Sequence, residues 1–270
     1  MGIVLAITNR KGGTGKTMTS VSLGASLARQ GKKILIVDAD SQHSATVSLG
    51  IAEPDKLVIT LATVMHDIIT EKEIDPVEGI ISHDEGISLM PSNNNLAGME
   101  ISLASMIGRE TILRQYLDKV RNLYDYILID TAPTLDLLAL NALAAADSVI
   151  IPVAPKYLDA KGLELLLKSI AQIRRHINPN LAIGGILLTM VDKRVNITKD
   201  IISMIKEAYG SSINIFKEPI PYSVRAVETP ATGKSIFEHD PKGRVAAAYA
   251  SLAKEVLENA ENQRNYQPYA

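Results

Sequence analysis

The segment Asn9-Arg10-Lys11-Gly12-Gly13-Thr14-Gly15-Lys16-Thr17 concentrates residue types suited to handling phosphate. Gly12, Gly13 and Gly15 permit backbone conformations and close approaches that a Cβ forbids, so consecutive N–H groups can turn onto phosphate oxygens. Lys16 is spaced to reach the β- and γ-phosphates of a nucleotide, and Thr17 offers a hydroxyl to Mg²⁺. Phosphate cradles of this kind have the form G-x-x-x-x-G-K-[ST], yet Arg10 stands where the first glycine is expected. The loop opens with Lys11 instead. A second lysine there is repelled by Lys16 in an empty monomer, so its charge makes sense facing polyphosphate, including that of a neighbouring subunit.

Three carboxylates are spaced to serve the same chemistry. Asp38 and Asp40 occupy alternate positions after the apolar run Ile34-Leu35-Ile36-Val37, and Asp130 ends the run Tyr126-Ile127-Leu128-Ile129. The carboxyl ends of buried strands are where open α/β sheets bind ligands. Asp130 is suited to hold Mg²⁺ through water.

Elements must deliver these residues to one place. Short Val- and Ile-rich runs alternate with longer segments of 3.6-residue period, the pattern of βαβ units around a sheet buried on both faces. Strands are expected near Ile3-Thr8, Lys33-Asp38, Ile87-Met90, Tyr126-Asp130, Ser148-Val153 and Ile183-Thr189. Helices are expected at Thr17-Gln30, Thr60-Ile69, Thr111-Asn122, Leu135-Ala146, Lys161-Ile177, Thr198-Tyr209 and Arg244-Asn262. Gly31 follows the first helix as a C′ glycine, and Pro179 follows another helix end. With no internal repeat or low-complexity linker, the fold class is α/β: a single doubly wound, mostly parallel sheet with helices on both faces over residues 1–262, and a frayed tail over 263–270.

Composition narrows the function. A chain of 270 residues with 46% hydrophobic and 21% charged residues can bury a sizeable core. It has no cysteine, which excludes disulfides, thiolate zinc sites and cysteine-ligated iron–sulfur clusters and suits a reducing compartment. No apolar stretch approaches the ~18 residues of a membrane span, and the chain enters Gly2-Ile3-Val4-Leu5-Ala6-Ile7 without a basic leader, so a cytoplasmic location is expected. The net charge of -2 leaves nucleic-acid binding only to a local patch. Charge is uneven: Asp38 to Glu100 holds 12 acidic residues against Lys56 and Lys72, whereas Gly185 to Lys254 holds 10 Lys or Arg against 7 acids.

Lys11-Gly12-Gly13-Thr14-Gly15-Lys16-Thr17 resembles the deviant Walker A motif of the ParA/MinD superfamily of P-loop NTPases. The resemblance extends over nearly the whole chain. Val37-Asp38-Ala39-Asp40-Ser41-Gln42 is similar to the family's V-D-x-D-P-Q, with Ser41 for proline. Asp125-Tyr126-Ile127-Leu128-Ile129-Asp130-Thr131-Ala132-Pro133 resembles Y-D-x-I-I-I-D-x-P-P, with Ala132 for the first proline. Leu187-Leu188-Thr189-Met190-Val191-Asp192-Lys193-Arg194 resembles the strand and loop flanking adenine, and Ile220-Pro221-Tyr222-Ser223-Val224-Arg225 resembles I-P-R-N-V-R, with Tyr222 for arginine. The resemblance implies that Lys11 crosses a nucleotide-sandwich homodimer to the partner's ATP, that Asp40 orients the attacking water, and that Asp38 lies near the hydration shell of Mg²⁺. Catalysis then falls to Lys11, Lys16, Asp38 and Asp40, and metal binding to Thr17, Asp38 and Asp130. Residues 11–17 with Met18, Met190 and Pro221 hold the nucleotide. Residues matching Arg194 and Arg225 carry non-specific DNA binding in the partition branch, with Lys193, Lys242 and Arg244 as further candidates.

Within the superfamily, a partition ATPase competes with three other functions. A membrane-positioning, MinD-like switch needs a terminal helix with a basic polar face, whereas Leu252 to Asn262 is acidic and alanine-rich, so no membrane partner is expected. An ATP-dependent ligase related to dethiobiotin synthetase has no use for Lys11. A related tyrosine kinase ends in a tyrosine cluster, while only Tyr266 and Tyr269 occur here. No segment precedes the first strand, so an operator-binding helix-turn-helix is not expected. The expectation is a ParA-like partition ATPase using ATP and Mg²⁺. It would dimerise with ATP, bind double-stranded DNA non-specifically and associate with the nucleoid until a ParB-like partner stimulates hydrolysis.

Overall fold

The computed structural model describes residues 1–265, apart from the side chains at 158, 160 and 262–265. One sheet contains β1 (Ile3–Ile7), β2 (Ile34–Ala39), β3 (Ile81–His83), β4 (Ile87–Met90), β5 (Tyr126–Thr131), β6 (Ser148–Val153) and β7 (Ala182–Leu188), in the order β3-β4-β2-β5-β1-β6-β7. All pairings are parallel except the β3–β4 hairpin. The helices are α1 (Lys16–Ala28), α2 (Ser44–Ser48), α3 (Leu61–Ile69), α4 (Asn95–Ala104), α5 (Ile112–Val120), α6 (Leu137–Ala145), α7 (Tyr157–His176), α8 (Asn196–Tyr209), α9 (Val224–Thr232), α10 (Ile236–His239) and α11 (Arg244–Asn265). This is the expected mostly parallel α/β sheet flanked by helices.

The continuous apolar strands are explained by burial on both faces. Val4 and Ala6 of β1, Leu35 and Val37 of β2, and Ile127 and Ile129 of β5 join a core with α3, α5, α6 and α7. The alternate residues Leu5, Ile7, Ile34, Ile36 and Leu128 join a second core with α1 and α11. The fit is close at Gly24 of α1, where an added Cβ would lie 3.0 Å from Ile36 Cδ1. Truncating Ile36 to alanine there costs about 2–5 kcal/mol, the range for a large core side chain.

Five short elements are not expected from the sequence. β3 is only three residues at a sheet edge, and α2 and α10 span five and four residues, too short for a periodic pattern to register. α9 contains Pro230 and closes on Gly233 in the left-handed region, so it reads locally as a turn. The Asn95–Ala104 helix places apolar and small residues all round, so no amphipathic stripe marks it. α7 begins at Tyr157, four residues before the expected Lys161. α11 runs to Asn265, and of the tail expected to fray over 263–270, residues 266–270 lie outside the described residues. Among the described residues, no helix is long and apolar enough to cross a membrane.

Candidate active site

The chain leaves β1 at Ile7 and enters α1 at Lys16, so the glycine-rich loop sits at the carboxyl end of a central strand. Gly13 (φ 68°) and Gly15 (φ 82°) adopt left-handed conformations in which a side chain is strained. Gly15 is the N-cap of α1 and supplies no side-chain cap, which leaves first-turn N–H groups for a ligand. Neighbouring elements fix the loop: Asn9 Nδ2 donates to the Pro152 carbonyl (2.7 Å), Lys11 N–H to Asn9 Oδ1 (3.1 Å), and Thr189 Oγ1 to the Thr14 carbonyl (2.7 Å). Lys16 Nζ folds back to donate to the Lys11 carbonyl at 3.2 Å. Burial depresses the Lys16 pKa, opposed by the charges of Asp130 and Asp40.

Asp38 and Asp130 are opposed in the parallel register of β2 and β5, on the α1 side of the sheet, and both are fully buried. Asp130 Oδ2 accepts from Thr17 Oγ1 (2.7 Å) and Oδ1 from Ser20 Oγ (2.9 Å). Asp38 Oδ2 accepts from the Thr46 N–H and Oγ1, each 2.7 Å away, and Oδ1 from the Asp40 N–H (3.2 Å). Burial pushes the Asp38 carboxyl up to about 7 against the three hydrogen bonds that favour its charge. Asp130 moves upward as well, first from burial and then from the Asp38 charge. A cation bound beside them would favour the charged form of both carboxylates. Among the described residues no cluster of three or more His, Cys, Asp or Glu could enclose a metal ion. Mg²⁺ takes one or two protein ligands and completes its shell with water and phosphate, so the adjacent Thr17 hydroxyl and Asp130 carboxylate fit it.

Asp40 lies just beyond β2, 6% exposed, with Oδ1 accepting from the Gln42 N–H at 2.8 Å. The loop after β5 approaches the cradle, since a Cβ on Gly12 would lie 3.9 Å from Pro133 Cβ. Met190, at φ 53°, points its Cε to within 3.8 Å of where a Gly15 Cβ would be. Thr17 and Met18 line a cavity of about 400 Å³ with Gln42, Ser44 and Thr229. Pro221 lines a separate cavity of about 560 Å³ with Val191, Lys193, Arg194 and Arg244. Lys11 extends along α7, its Cε 3.4 Å from the position of a Cβ on Gly162, and its charge acts on Asp159.

The candidate basic residues are only partly united. Lys193, Arg194 and Arg244 share one cavity wall, whereas Arg225 and Lys242 are exposed but absent from it. Arg194 forms a bidentate pair with Asp192 (Nε to Oδ1 2.9 Å, a terminal N–H to Oδ2 2.7 Å), which holds the Asp192 carboxyl down at about 2. Arg225 is 3.6 Å from Glu228.

An AAA domain family matches residues 2–183. The sporulation initiation inhibitor protein Soj of Bacillus subtilis is 43% identical over 260 residues, covering 96% of this chain and 100% of that protein. The chain belongs to the Soj/ParA family. The chromosome partitioning protein ParA of Caulobacter vibrioides is 33% identical over 264 residues, 97% of this chain and 96% of that protein. Among solved structures, cobyrinic acid a,c-diamide synthase of Mycobacterium smegmatis with a bound ATP analogue and magnesium has a TM-score of 0.85 and 32% identity, covering 100% of each chain. Soj/ParA membership makes the chain a P-loop ATPase in general terms.

Three residues at this Soj/ParA site are not singled out by sequence: Ser20, Thr46 and Ser92. Ser20 stands one helical turn after Thr17 and so shares its face, a spacing that could have found it. Thr46 sits on the unexpected α2 and Ser92 after β4, and they meet Asp38 and Asp40 only in the folded chain.

Proposed function

We propose that this chain is a ParA-type partition ATPase that hydrolyses ATP with Mg²⁺, forms a nucleotide-sandwich homodimer and holds double-stranded DNA non-specifically while ATP is bound. A ParB-like partner resets it by stimulating hydrolysis, and the ATP-bound form associates with the nucleoid. The observation that carries this reading is the arrangement of the two loop lysines. Lys16 covers its own cradle, whereas the half-buried Lys11 side chain packs against Gly162 of α7. A loop lysine packed on α7 leaves its own cradle to Lys16 and suits polyphosphate held by a second subunit.

In this reading the loop N–H groups and Lys16 bind the β- and γ-phosphates, and Asp40 places the attacking water. Thr17 and Asp130 would hold Mg²⁺, which would supply charge neutralisation at the phosphates. Lys11 of the partner subunit adds positive charge where negative charge develops.

The solved synthase at 32% identity keeps a second reading in play, an ATP-dependent small-molecule ligase. Light scattering with ATP separates the two. The partition reading predicts an ATP-dependent dimer that Lys11→Ala abolishes while nucleotide binding persists. A normal dimer in Lys11→Ala removes the sandwich and favours the ligase.

A further inference from the structure

The loop carrying Asp40 is held by a closed, buried circuit of hydrogen bonds. The Asp40 N–H donates to Asp38 Oδ1 (3.2 Å), and Thr46 donates to Asp38 Oδ2 through both its N–H and its hydroxyl (2.7 Å each). The Ser92 N–H donates to Thr46 Oγ1 (2.9 Å), and Ser92 Oγ donates to the Asp40 carbonyl (2.9 Å). The circuit thus returns to its starting residue. Asp38, Thr46 and Ser92 are fully buried and Asp40 nearly so.

The direction of each bond is set by chemistry. The Thr46 hydroxyl has one proton, given to Asp38, so its lone pair is available to the Ser92 amide; the Ser92 proton is then free for the Asp40 carbonyl. A fully satisfied buried network fixes a backbone more firmly than its bonds taken singly. Here the fixed segment is Asp40 itself, gripped at its N–H by Asp38 and at its carbonyl by Ser92 and the His43 N–H (2.9 Å). Ser92 is anchored in turn. Its neighbour Pro91 accepts from the Leu61 N–H (2.8 Å), and Asn93 Oδ1 accepts from Thr60 Oγ1 (3.3 Å). The place of Asp40 is therefore set from the start of α3, across the β4 end.

We propose that Thr46 and Ser92 are positioning residues for ATP hydrolysis, acting through this circuit to set where Asp40 stands. The inference rests on the assignment of the attacking water to Asp40. Neither residue touches nucleotide in this scheme, so their loss should alter turnover and leave binding alone.

The test uses the full chain in single-turnover hydrolysis, with ATP affinity from calorimetry on the same variants. Ser92→Ala and Thr46→Val are each expected to slow hydrolysis by about tenfold or more, the scale on which misplacing a reacting group costs rate. ATP affinity should stay within about twofold of the parent, since the two positions do not contribute to binding energy. Thr46→Ser keeps the hydroxyl and should restore the parental rate, which a packing role for the threonine methyl does not predict. In the double variant Asp40→Ala/Ser92→Ala, hydrolysis should be no slower than in Asp40→Ala alone, because residues acting through one group are not additive. Multiplying losses would overturn the proposal, as would an affinity loss matching the rate loss. Parental rates in Ser92→Ala and Thr46→Val beside a slow Asp40→Ala would overturn the circuit and leave the role of Asp40 standing. A parental rate in Asp40→Ala as well would overturn that role too.

Discussion

Asp38 and Asp130 face the same side of the sheet from opposed positions on β2 and β5, each with both carboxylate oxygens hydrogen-bonded by neighbouring residues. Like charges this close cannot both ionise cheaply in a buried setting. A cation bound beside the pair would offset that cost.

Stability should therefore depend on pH through Asp38. Its folded pKa near 7 lies above the ordinary value of 3.8, so its contribution is complete below about pH 4 and is lost as pH rises through 7. Asp38→Ala should accordingly cost more stability at pH 5 than at pH 8, with a difference on the order of 2–3 kcal/mol at 1.36 kcal/mol per pH unit. Urea denaturation of the parent and the variant without nucleotide measures it. An equal cost at both pH values would show that Asp38 is not held near neutrality.

Lys16→Ala should abolish nucleotide binding. Its ammonium is the side-chain cation folded over the cradle, and the N–H groups alone do not neutralise a triphosphate. Unchanged ATP affinity by calorimetry would remove the phosphate-loop assignment.

Asp40→Ala and Asp130→Ala should fail differently. The first should keep ATP and Mg²⁺ binding while hydrolysis slows by ~10²-fold or more, within the range for a positioned catalytic carboxylate, so that ATP-bound dimer accumulates. The second should raise the Mg²⁺ concentration needed for tight nucleotide binding. Titration of Mg²⁺ against fluorescent ATP distinguishes them, and matching phenotypes would merge the two roles.

The phosphate loop is legible in sequence because its residues are contiguous and its glycines must adopt conformations that side chains resist, as Gly13 and Gly15 do. Asp130 is legible because it ends an apolar run beside that loop. Thr46, Ser92 and the packing of Lys11 on Gly162 are not, because each is made by residues far apart in the chain and the short α2 leaves no periodic trace. Arg194 shows a different limit. Its position in a basic loop is readable, but its bidentate pairing with Asp192 depends on a local turn that puts the Arg194 N–H on the same carboxylate.

That pairing bears on DNA. The Arg194 side chain is 86% exposed and its ion pair with Asp192 lies in solvent, where such pairs are weak and phosphate can compete. Arg194→Ala and Arg225→Ala should each weaken DNA binding almost equally for all sequences and lower the salt slope by about one for each phosphate no longer neutralised. ATP-driven dimerisation should persist. Normal binding by both variants across a salt titration would move the patch elsewhere.

Cosedimentation with DNA and with liposomes, each with ATP, ADP or no nucleotide, tests the partition function most directly. A monomer of net charge -2 presents little basic surface, and in the proposed sandwich the stripe around Arg194 is doubled. The account predicts pelleting with DNA in ATP alone, lost at high salt, and none with liposomes. Pelleting with liposomes, or with DNA regardless of nucleotide, would contradict it.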